Sequence, residues 1–252
     1  MTFEITSTSN PRIRRLIQLQ QRRHRDREGV FIVEGNRLLN RAVDAGLTPL
    51  EVYVDGSVDA DWEDVISVHP DVLDRASYRK RSEGVIAVFS QFTTDLDDIT
   101  LHDPALILAV EGLEKPGNLG AVLRTADAVG ADVVLTVGNP IDLFNPNVLR
   151  ASTGAAFTVP VVDTDLPELR TWLAAHSIDL IVADGTAPLS IWDADLTGGV
   201  TLMVGREDEG LSPTARALAS RVVSIPMLGS VDSLNASVAL SLFAYEALRQ
   251  RT

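Results

Sequence analysis

The sequence predicts an α/β protein with a small N-terminal α/β domain and a larger C-terminal domain built on a parallel sheet. Short apolar runs alternate with amphipathic stretches along the 252 residues, and a polar, acidic linker over residues 91–103 interrupts them. The first run after the linker is apolar almost throughout. Such runs are typical of strands buried on both faces of a parallel sheet, and the alternation is typical of helices that cover the sheet.

The small domain is predicted in residues 1–90. Residues 10–27 are polar and basic but carry an apolar stripe, which predicts one helix. A strand over residues 30–33 follows, and then a helix over residues 34–45 that we expect Gly46 to end. Three more strands are predicted, in residues 50–54, 65–68 and 85–89.

The second domain is predicted in residues 104–252. Residues 105–110 predict its first strand, and residues 117–129 predict the helix that follows, with its apolar side chains on one face. Further strands are predicted in residues 132–137, 157–162, 178–183, 200–204 and 222–225, and further helices in residues 166–176, 213–219 and 233–250.

Composition excludes several classes of protein. With 45% hydrophobic and 23% charged residues the chain is not intrinsically disordered. Because it has no cysteine, disulfide scaffolds, zinc-thiolate sites and cysteine nucleophiles are excluded, and the four histidines lack metal-ligand spacing, so we expect no metal. No apolar stretch is long enough to span a membrane, and residues 1–10 lack a secretory apolar core. We expect a cytoplasmic protein.

The charge is unevenly distributed. The chain carries −13 overall, yet residues 1–41 contain nine arginines against four acidic residues. This asymmetry indicates an anionic partner for the N-terminal domain, and arginine suits bidentate contacts to phosphate. A solvated helix surface remains the alternative. The candidate contacts are Arg12, Arg14, Arg15, Arg22, Arg23 and Arg25.

Three glycine- or proline-containing loops follow predicted strands of the second domain. The first includes Asn118 and leads to Arg124, the second begins at Gly205, and the third begins at Ile225. In open α/β sheets ligands bind at the edge where such loops lie. The simpler alternatives are ordinary turns, a helix cap for Asn118 and a solvated Arg124. Dinucleotide binding is disfavoured because the first loop lacks one glycine of the GxGxxG pattern.

Together these loops resemble the three motifs of the SpoU (TrmH-type) branch of the SPOUT RNA methyltransferases. Motif one is similar around Asn118 and Arg124, and motif two around Gly205, Glu207 and Gly210. Motif three is similar in Ile225-Pro226-Met227 followed by Ser233-Leu234-Asn235, and Arg150-Ala151-Ser152-Thr153-Gly154-Ala155 resembles a connecting segment of the family. The N-terminal domain resembles the RNA substrate-binding domain of the family. Motif two departs from the family at Arg206-Glu207-Asp208-Glu209.

The resemblance implies a SPOUT fold, in which the C-terminal chain of the sheet domain forms a trefoil knot. It implies S-adenosylmethionine as cofactor and a homodimer through the catalytic domain. It also implies methyl transfer to a ribose 2′-oxygen of RNA, with 23S ribosomal RNA favoured over transfer RNA. The cofactor positions that carry over are Gly205, Ile225, Pro226, Met227 and Leu234.

The resemblance also implies catalytic roles. Arg124 would stabilise the developing alkoxide. A guanidinium keeps its proton at neutral pH and therefore cannot accept another one as a general base. Asn118 would orient Arg124 or the RNA, and Glu207 would pair with Arg124 or Arg150. Ser233 and Asn235 would hold a phosphate or ribose at the start of the last helix, and Arg150 is a further RNA contact. A transfer RNA methyltransferase and a catalytically silent RNA-binding protein of the same fold are the alternatives.

Overall fold

The computed structural model describes residues 3–58, 62, 64–138, 141–206, 208–231 and 233–252. The chain divides into two compact units. The first consists of Met1–Phe92 with Phe144–Phe157, and the second of Thr93–Leu143 with Thr158–Thr252. The predicted α/β class is confirmed, and the larger unit has the predicted parallel sheet.

The first unit is built on a four-stranded sheet in the order β1-β4-β2-β3. Its strands are β1 (Val30–Glu34), β2 (Glu51–Val54), β3 (Ile66–Ser67) and β4 (Val85–Ser90), and its helices include α1 (Pro11–Leu19), α2 (Arg22–Glu28), α3 (Asn36–Asp44) and α4 (Pro70–Ala76). β4 pairs antiparallel with β1 and β2, while β3 runs parallel to β2. Apolar residues of α1, α4 and the sheet share one core.

The helix predicted over residues 10–27 is in fact two helices, α1 and α2, separated at Gln20 and Gln21. Arg25 accounts for the break. Its side chain is buried, and its Nη1 donates to the carbonyl oxygens of Leu19 and Gln20, at 2.8 and 2.9 Å. These carbonyls lie at the end of α1 and have no helical partners. The guanidinium supplies donors to both, of which the Leu19 carbonyl is buried and the Gln20 carbonyl partly buried.

Residues Phe144–Phe157 belong to the first unit, although the sequence pattern predicts them within the second domain. They include α6 (Pro146–Ser152), a helix that was not predicted. Phe31 of β1 stacks against Phe144 and Phe157, with ring centroids 4.7 and 6.1 Å apart. The strand predicted from residue 157 begins only at Val161, because residues 155–157 form a 3₁₀ turn within this packed segment.

The second unit holds six parallel strands in the order β10-β8-β9-β5-β6-β7. The strands are β5 (Leu106–Glu111), β6 (Val133–Val137), β7 (Val161–Thr164), β8 (Asp179–Ala183), β9 (Val200–Val204) and β10 (Arg221–Val223). The helices are α5 (Pro116–Val129), α7 (Leu166–His176), α8 (Pro213–Leu218) and α9 (Ala236–Arg251).

Helices cover both faces of this sheet. Ile107 and Ala109 of β5 share a core with Leu169 of α7 and Ala215 of α8. Leu108, which alternates with them, is equally buried and points to the opposite face, where α5 and α9 pack together. None of the helices in the described ranges is long and apolar enough to cross a membrane.

The buried guanidinium of Arg25 gives a prediction for stability. Replacing Arg25 with Met should lower the free energy of unfolding by about 2 kcal/mol, because one buried and one partly buried carbonyl lose their donor. The exposed Arg14 of α1 is the matched control, and Arg14→Met should cost less than about 0.5 kcal/mol. Urea denaturation measures both values. Equal losses in the two variants would contradict the role of Arg25.

Candidate active site

The three loops that carry the motifs meet at one edge of the second unit's sheet. Because all six strands are parallel, the segments that follow β5, β9 and β10 all leave at the carboxyl edge. The chain order reverses between β5 and β9, and such a reversal is where ligands bind in open α/β sheets. Two cavities of about 190 and 360 Å³ open here, and both are lined by Gly112 and Arg206.

Asn118 and Asn235 are brought together across this edge. Asn118 lies in the first turn of α5, where Lys115 rather than Asn118 occupies the N-cap position. Asn235 is the N-cap of α9, and its Oδ1 accepts from the backbone N and Oγ of Ser237 at 3.0 and 2.6 Å. Its Nδ2 donates to Oδ1 of Asn118 at 3.3 Å. The simpler alternative, a cap role for Asn118, is therefore wrong, and Asn118 instead joins motif one to motif three.

A second bond extends this connection along the two helices. The hydroxyls of Thr125 in α5 and Ser241 in α9 lie 2.7 Å apart. Since Asn118 pairs with Asn235 and Thr125 with Ser241, the two helices run side by side in the same direction. Their relative position is thereby fixed at two points.

Arg124 lies on α5, about 9 Å along the helix from Asn118. Its side chain is exposed, and it forms no hydrogen bond or ion pair with the residues that the structure describes. All five donors of the guanidinium are therefore open to a ligand.

The motif-two loop folds back tightly onto Gly205. Arg206 and Gly210 exchange two backbone hydrogen bonds, at 3.0 and 3.1 Å, and Gly210 has a φ of +68°. A Cβ on Gly205 would overlap the backbone of Gly210 and Leu211. Glycine is thus required at residue 205 by the loop itself. Glu207, predicted to be catalytic, lies outside the described residues.

Arg206 connects motif two to motif one, a role that the sequence analysis did not anticipate. Its Nη2 donates to Oε1 of Glu114 at 2.8 Å, and its aliphatic stem crosses Gly112 so closely that a Cβ there would collide. Nε lies 3.6 and 3.5 Å from carboxylate oxygens of Asp208 and Glu209. Asp208 and Glu209, two of the residues that depart from the family pattern, are therefore counterions of Arg206. The available signal was one arginine followed directly by a run of acidic residues.

Glu111 at the end of β5 is another residue that sequence reasoning missed. Its carboxylate accepts from the backbone N and the Oγ of Ser212, at 2.8 and 2.6 Å. Ser212 in turn caps α8, where its Oγ accepts from the backbone N of Ala215. Glu111 therefore fixes the end of the motif-two loop to the strand that precedes motif one.

The motif-three loop has a backbone suited to recognising a ligand. Ile225, Met227 and Leu234 are half-buried and Pro226 is exposed. Over residues 225–231, which are all described, the backbone amides and carbonyls make no hydrogen bond within the described chain. Free backbone groups beside half-buried apolar side chains fit a cofactor that has a purine ring and ribose hydroxyls. Among the described residues that line the two cavities, none belongs to this loop.

Most of the N-terminal arginines are engaged within the first unit. Arg12 pairs with Glu4 at 3.4 Å, Arg22 with Asp26 at 3.3 Å, and Arg15 with both Glu28 and Glu51 at 2.6 Å. Partial burial opposes the charge of Arg15, but the two carboxylates outweigh it and hold its pKa above the ordinary value.

The remaining arginines differ in their surroundings. Arg25 is buried and caps α1, so it is not an exposed RNA contact as predicted, whereas Arg14 and Arg23 are exposed. Arg150 lies on α6 in the first unit, 4.0 Å from Glu34, and Ser233 is exposed just before α9. Within the described ranges no group of acidic residues and histidines could hold a metal ion.

Comparison with known proteins identifies both parts of the chain. The SpoU rRNA methylase family matches residues 105–245, and an MRM3-like substrate-binding domain matches residues 10–87. The 23S rRNA (uridine(2479)-2′-O)-methyltransferase of Streptomyces viridochromogenes is 33% identical over 250 residues, covering 92% of this chain and 87% of the relative.

Solved structures agree over nearly the whole length. A crystal structure of an RNA 2′-O ribose methyltransferase has a TM-score of 0.89 and 40% identity, with 98% of both chains covered. An AdoMet-bound rRNA methyltransferase from Sinorhizobium meliloti has a TM-score of 0.88 and 27% identity, with 97% of both chains covered. The chain belongs to the SpoU rRNA methylase family.

Proposed function

We propose that the protein transfers a methyl group from S-adenosylmethionine to a ribose 2′-oxygen of 23S ribosomal RNA. The observation that carries this proposal is the hydrogen bond between Asn118 and Asn235, which joins motifs one and three at the carboxyl edge of the sheet. Arg124 projects from the same helix with its donors open. A silent RNA-binding protein would have no need of this arrangement. Because the substrate is ribosomal RNA, we expect the enzyme to act in the cytoplasm.

The two domains divide the work in this proposal. Residues 1–90 bind the RNA substrate, residues 91–103 connect the domains, and residues 104–252 carry out the transfer. The match of residues 10–87 to a substrate-binding domain supports the first assignment. Exposed arginines such as Arg14 and Arg23 are the available cations on α1 and α2.

The cofactor is assigned to the loops of motifs two and three. Ile225, Met227 and Leu234 would enclose its apolar part beside Pro226, and the free backbone groups of residues 225–231 would recognise its polar edges. Gly205 maintains the tight motif-two loop that forms the opposite boundary. When bound, S-adenosylmethionine supplies an electrophilic methyl group on a sulfonium.

The protein's task is to position the ribose hydroxyl and to stabilise the charge that develops on it. Arg124 donates to the 2′-oxygen as negative charge develops there, since electrostatic stabilisation suits a group that stays protonated. The hydroxyl proton passes to a substrate phosphate or to water as the oxygen takes the methyl group. Asn118 and Asn235, fixed by their mutual bond, orient the ribose. Ser233 lies two residues before the cap of α9, where helix amides and the dipole favour a phosphate. Glu207 retains its predicted role as partner of an active-site arginine.

We also propose a trefoil knot and a homodimer through the second unit. The return of α9 to pack against α5 after the edge strand β10 supports a knotted path. For the dimer, α9 exposes Val238, Leu242 and Tyr245 on one stripe. Ser241, which bonds Thr125, lies within this stripe, so the exposed apolar surface runs beside α5 close to Arg124. A partner seated there would complete the surroundings of Arg124.

Removing the guanidinium of Arg124 should abolish turnover without affecting cofactor binding. We expect Arg124→Ala to lower methyl transfer at least about a hundredfold, as for loss of one donor to a developing oxyanion. Its affinity for S-adenosylmethionine, measured by calorimetry, should remain within about twofold. Asp127→Asn, nearly one turn further along α5, is the control and should retain activity, because Asp127 is exposed and the amide still offers an acceptor to the Thr158 hydroxyl. Retained turnover in Arg124→Ala would remove Arg124 from the mechanism.

The motif-two loop should not tolerate a side chain at residue 205. In Gly205→Ala the new methyl group forces the Gly210 backbone away, at a cost of about 1–3 kcal/mol typical of overpacking. We expect cofactor affinity to fall by more than tenfold while the circular dichroism spectrum is retained. Gly198→Ala is the matched control because a Cβ there meets open space. Unchanged affinity in Gly205→Ala would mean that the loop is not part of the cofactor site.

The stripe on α9 should determine the oligomeric state. Leu242→Asp places a charge in the middle of the stripe, and we expect it to convert a dimer to a monomer in light-scattering chromatography, with loss of methyl transfer. Leu50→Asp is the control, because Leu50 is an exposed leucine of the first unit. A wild-type monomer, or a dimer that persists in Leu242→Asp, would exclude this interface.

A further inference from the structure

Another cavity, surrounded by arginines, lies within the first unit. It has a volume of about 170 Å³, and its lining combines Glu34, Arg37, Leu38, Arg41, Glu83, Arg150 and Thr153. Three guanidinium groups therefore face two carboxylates, which leaves one net positive charge around a small opening. Only Arg150 among these arginines was predicted from the sequence to contact RNA.

The fold concentrates the three arginines from two helices. Arg37 and Arg41 are four residues apart on α3, so they lie on one face of that helix, while Arg150 comes from the last turn of α6. Like charges at this spacing destabilise an isolated helix. The stem of Arg41 crosses Gly154, whose φ is +105° and where a Cβ would collide with it. The position of Arg41 is thus built into the packing of the unit.

The guanidinium donors of these arginines are largely unused. Arg41 donates to the carbonyl oxygen of Thr153 through Nη1 alone. Arg37 is exposed and makes no hydrogen bond or ion pair with the described part of the chain. Nη1 of Arg150 is buried and has no hydrogen-bond partner there either. A buried donor without an acceptor is costly, and an anion in the cavity would remove that cost.

The two carboxylates do not fill this need. Glu34 is already engaged, because it accepts from the Oγ of Ser77 at 2.9 Å and from the backbone N of Tyr78 at 2.7 Å, and it reaches Arg150 only at 4.0 Å. Glu83 is exposed and lies over Gly35 without an ion pair among the described residues. Its negative charge lies at the rim of the cavity, but it forms no ion pair with any of the three arginines.

We propose that this arginine pocket binds a backbone phosphate of the RNA substrate, with Arg37 and Arg41 as contacts alongside Arg150. Planar guanidinium groups suit the bidentate recognition of phosphate oxygens. The Nη1 of Arg150 is buried away from bulk water, so it is a donor that a bound phosphate would satisfy. The inference rests on the proposed function for the identity of the polyanion. It makes α3 an RNA-binding element in addition to α1 and α2.

The test is the salt dependence of binding to 23S rRNA purified from a strain that lacks the gene. Each of Arg37→Ala and Arg41→Ala should lower affinity about fivefold to tenfold and reduce the slope of log K against log salt by about 0.7–0.9. Arg170→Ala is the matched control, since Arg170 is an exposed arginine on α7 of the second unit. It should leave both quantities unchanged. Arg37→Lys and Arg41→Lys should restore the slope but only part of the affinity.

The Glu83→Gln variant distinguishes a pocket that binds RNA phosphate from a charge cluster that only stabilises the folded protein. If the pocket binds phosphate, removing the rim carboxylate should tighten RNA binding about twofold to fivefold at low salt. If the carboxylate instead stabilises the arginines, Glu83→Gln should lower the melting temperature and leave RNA affinity unchanged. That result, or wild-type slopes in both alanine variants, would overturn the proposal.

A methyl-transfer assay on the same proteins keeps the two proposals separate. Slope losses in Arg37→Ala and Arg41→Ala with no methyl transfer by the wild type would support the pocket and refute the proposed activity. Methyl transfer by the wild type with unchanged KM for RNA in both variants would refute the pocket alone.

Discussion

One amide side chain couples the two helices on which the proposed active site depends. Asn235 caps α9 with its oxygen and donates with its nitrogen to Asn118 in the first turn of α5, a residue 117 positions earlier in the chain. Because both functional groups are engaged, the orientation of the amide is fixed. The hydrogen bond between the hydroxyls of Thr125 and Ser241 joins the same two helices at a second point, closer to their C-terminal ends. Arg124 thus lies on a helix that is joined to α9 at two points, while its own side chain is exposed.

The alternating pattern was sufficient to predict the parallel sheet but not the details that depend on distant residues. The strand predicted at residues 105–110 is β5, and the series of buried strands that follows is largely in place. The prediction of one continuous helix over residues 10–27 was wrong because the break depends on the buried side chain of Arg25. In the sequence this arginine looks like its exposed neighbours. Periodicity reports which face of a segment is apolar, and it carries no information on a side chain that turns back to cap the preceding helix.

The sequence also predicted which loops form the candidate site but not the contacts between their side chains. Motif spacing identified the three loops, yet nothing in the sequence paired Asn118 with Asn235 or showed that the motif-two loop itself requires glycine at residue 205. The basic N-terminal segment also overstated the available charge, because carboxylates as distant as Glu51 neutralise its arginines. Pairings of this kind become visible only when the chain has folded. The sequence also did not show that Arg37 and Arg41 of α3 line one cavity with Arg150 of α6.

The membership of residues 144–157 in the first unit has a consequence for the order of events during synthesis. The chain begins the second unit, returns to complete the first, and then resumes the second. Arg41 donates a hydrogen bond to the carbonyl of Thr153, 112 residues later in the chain, and the ring of Phe31 stacks on Phe144 and Phe157. The first unit therefore still lacks one of its segments when only its own N-terminal part has left the ribosome. The part of the Phe31 ring that stacks on Phe144 and Phe157 stays uncovered until residue 157 has been made, so this aromatic cluster is completed only after the chain has begun the second unit.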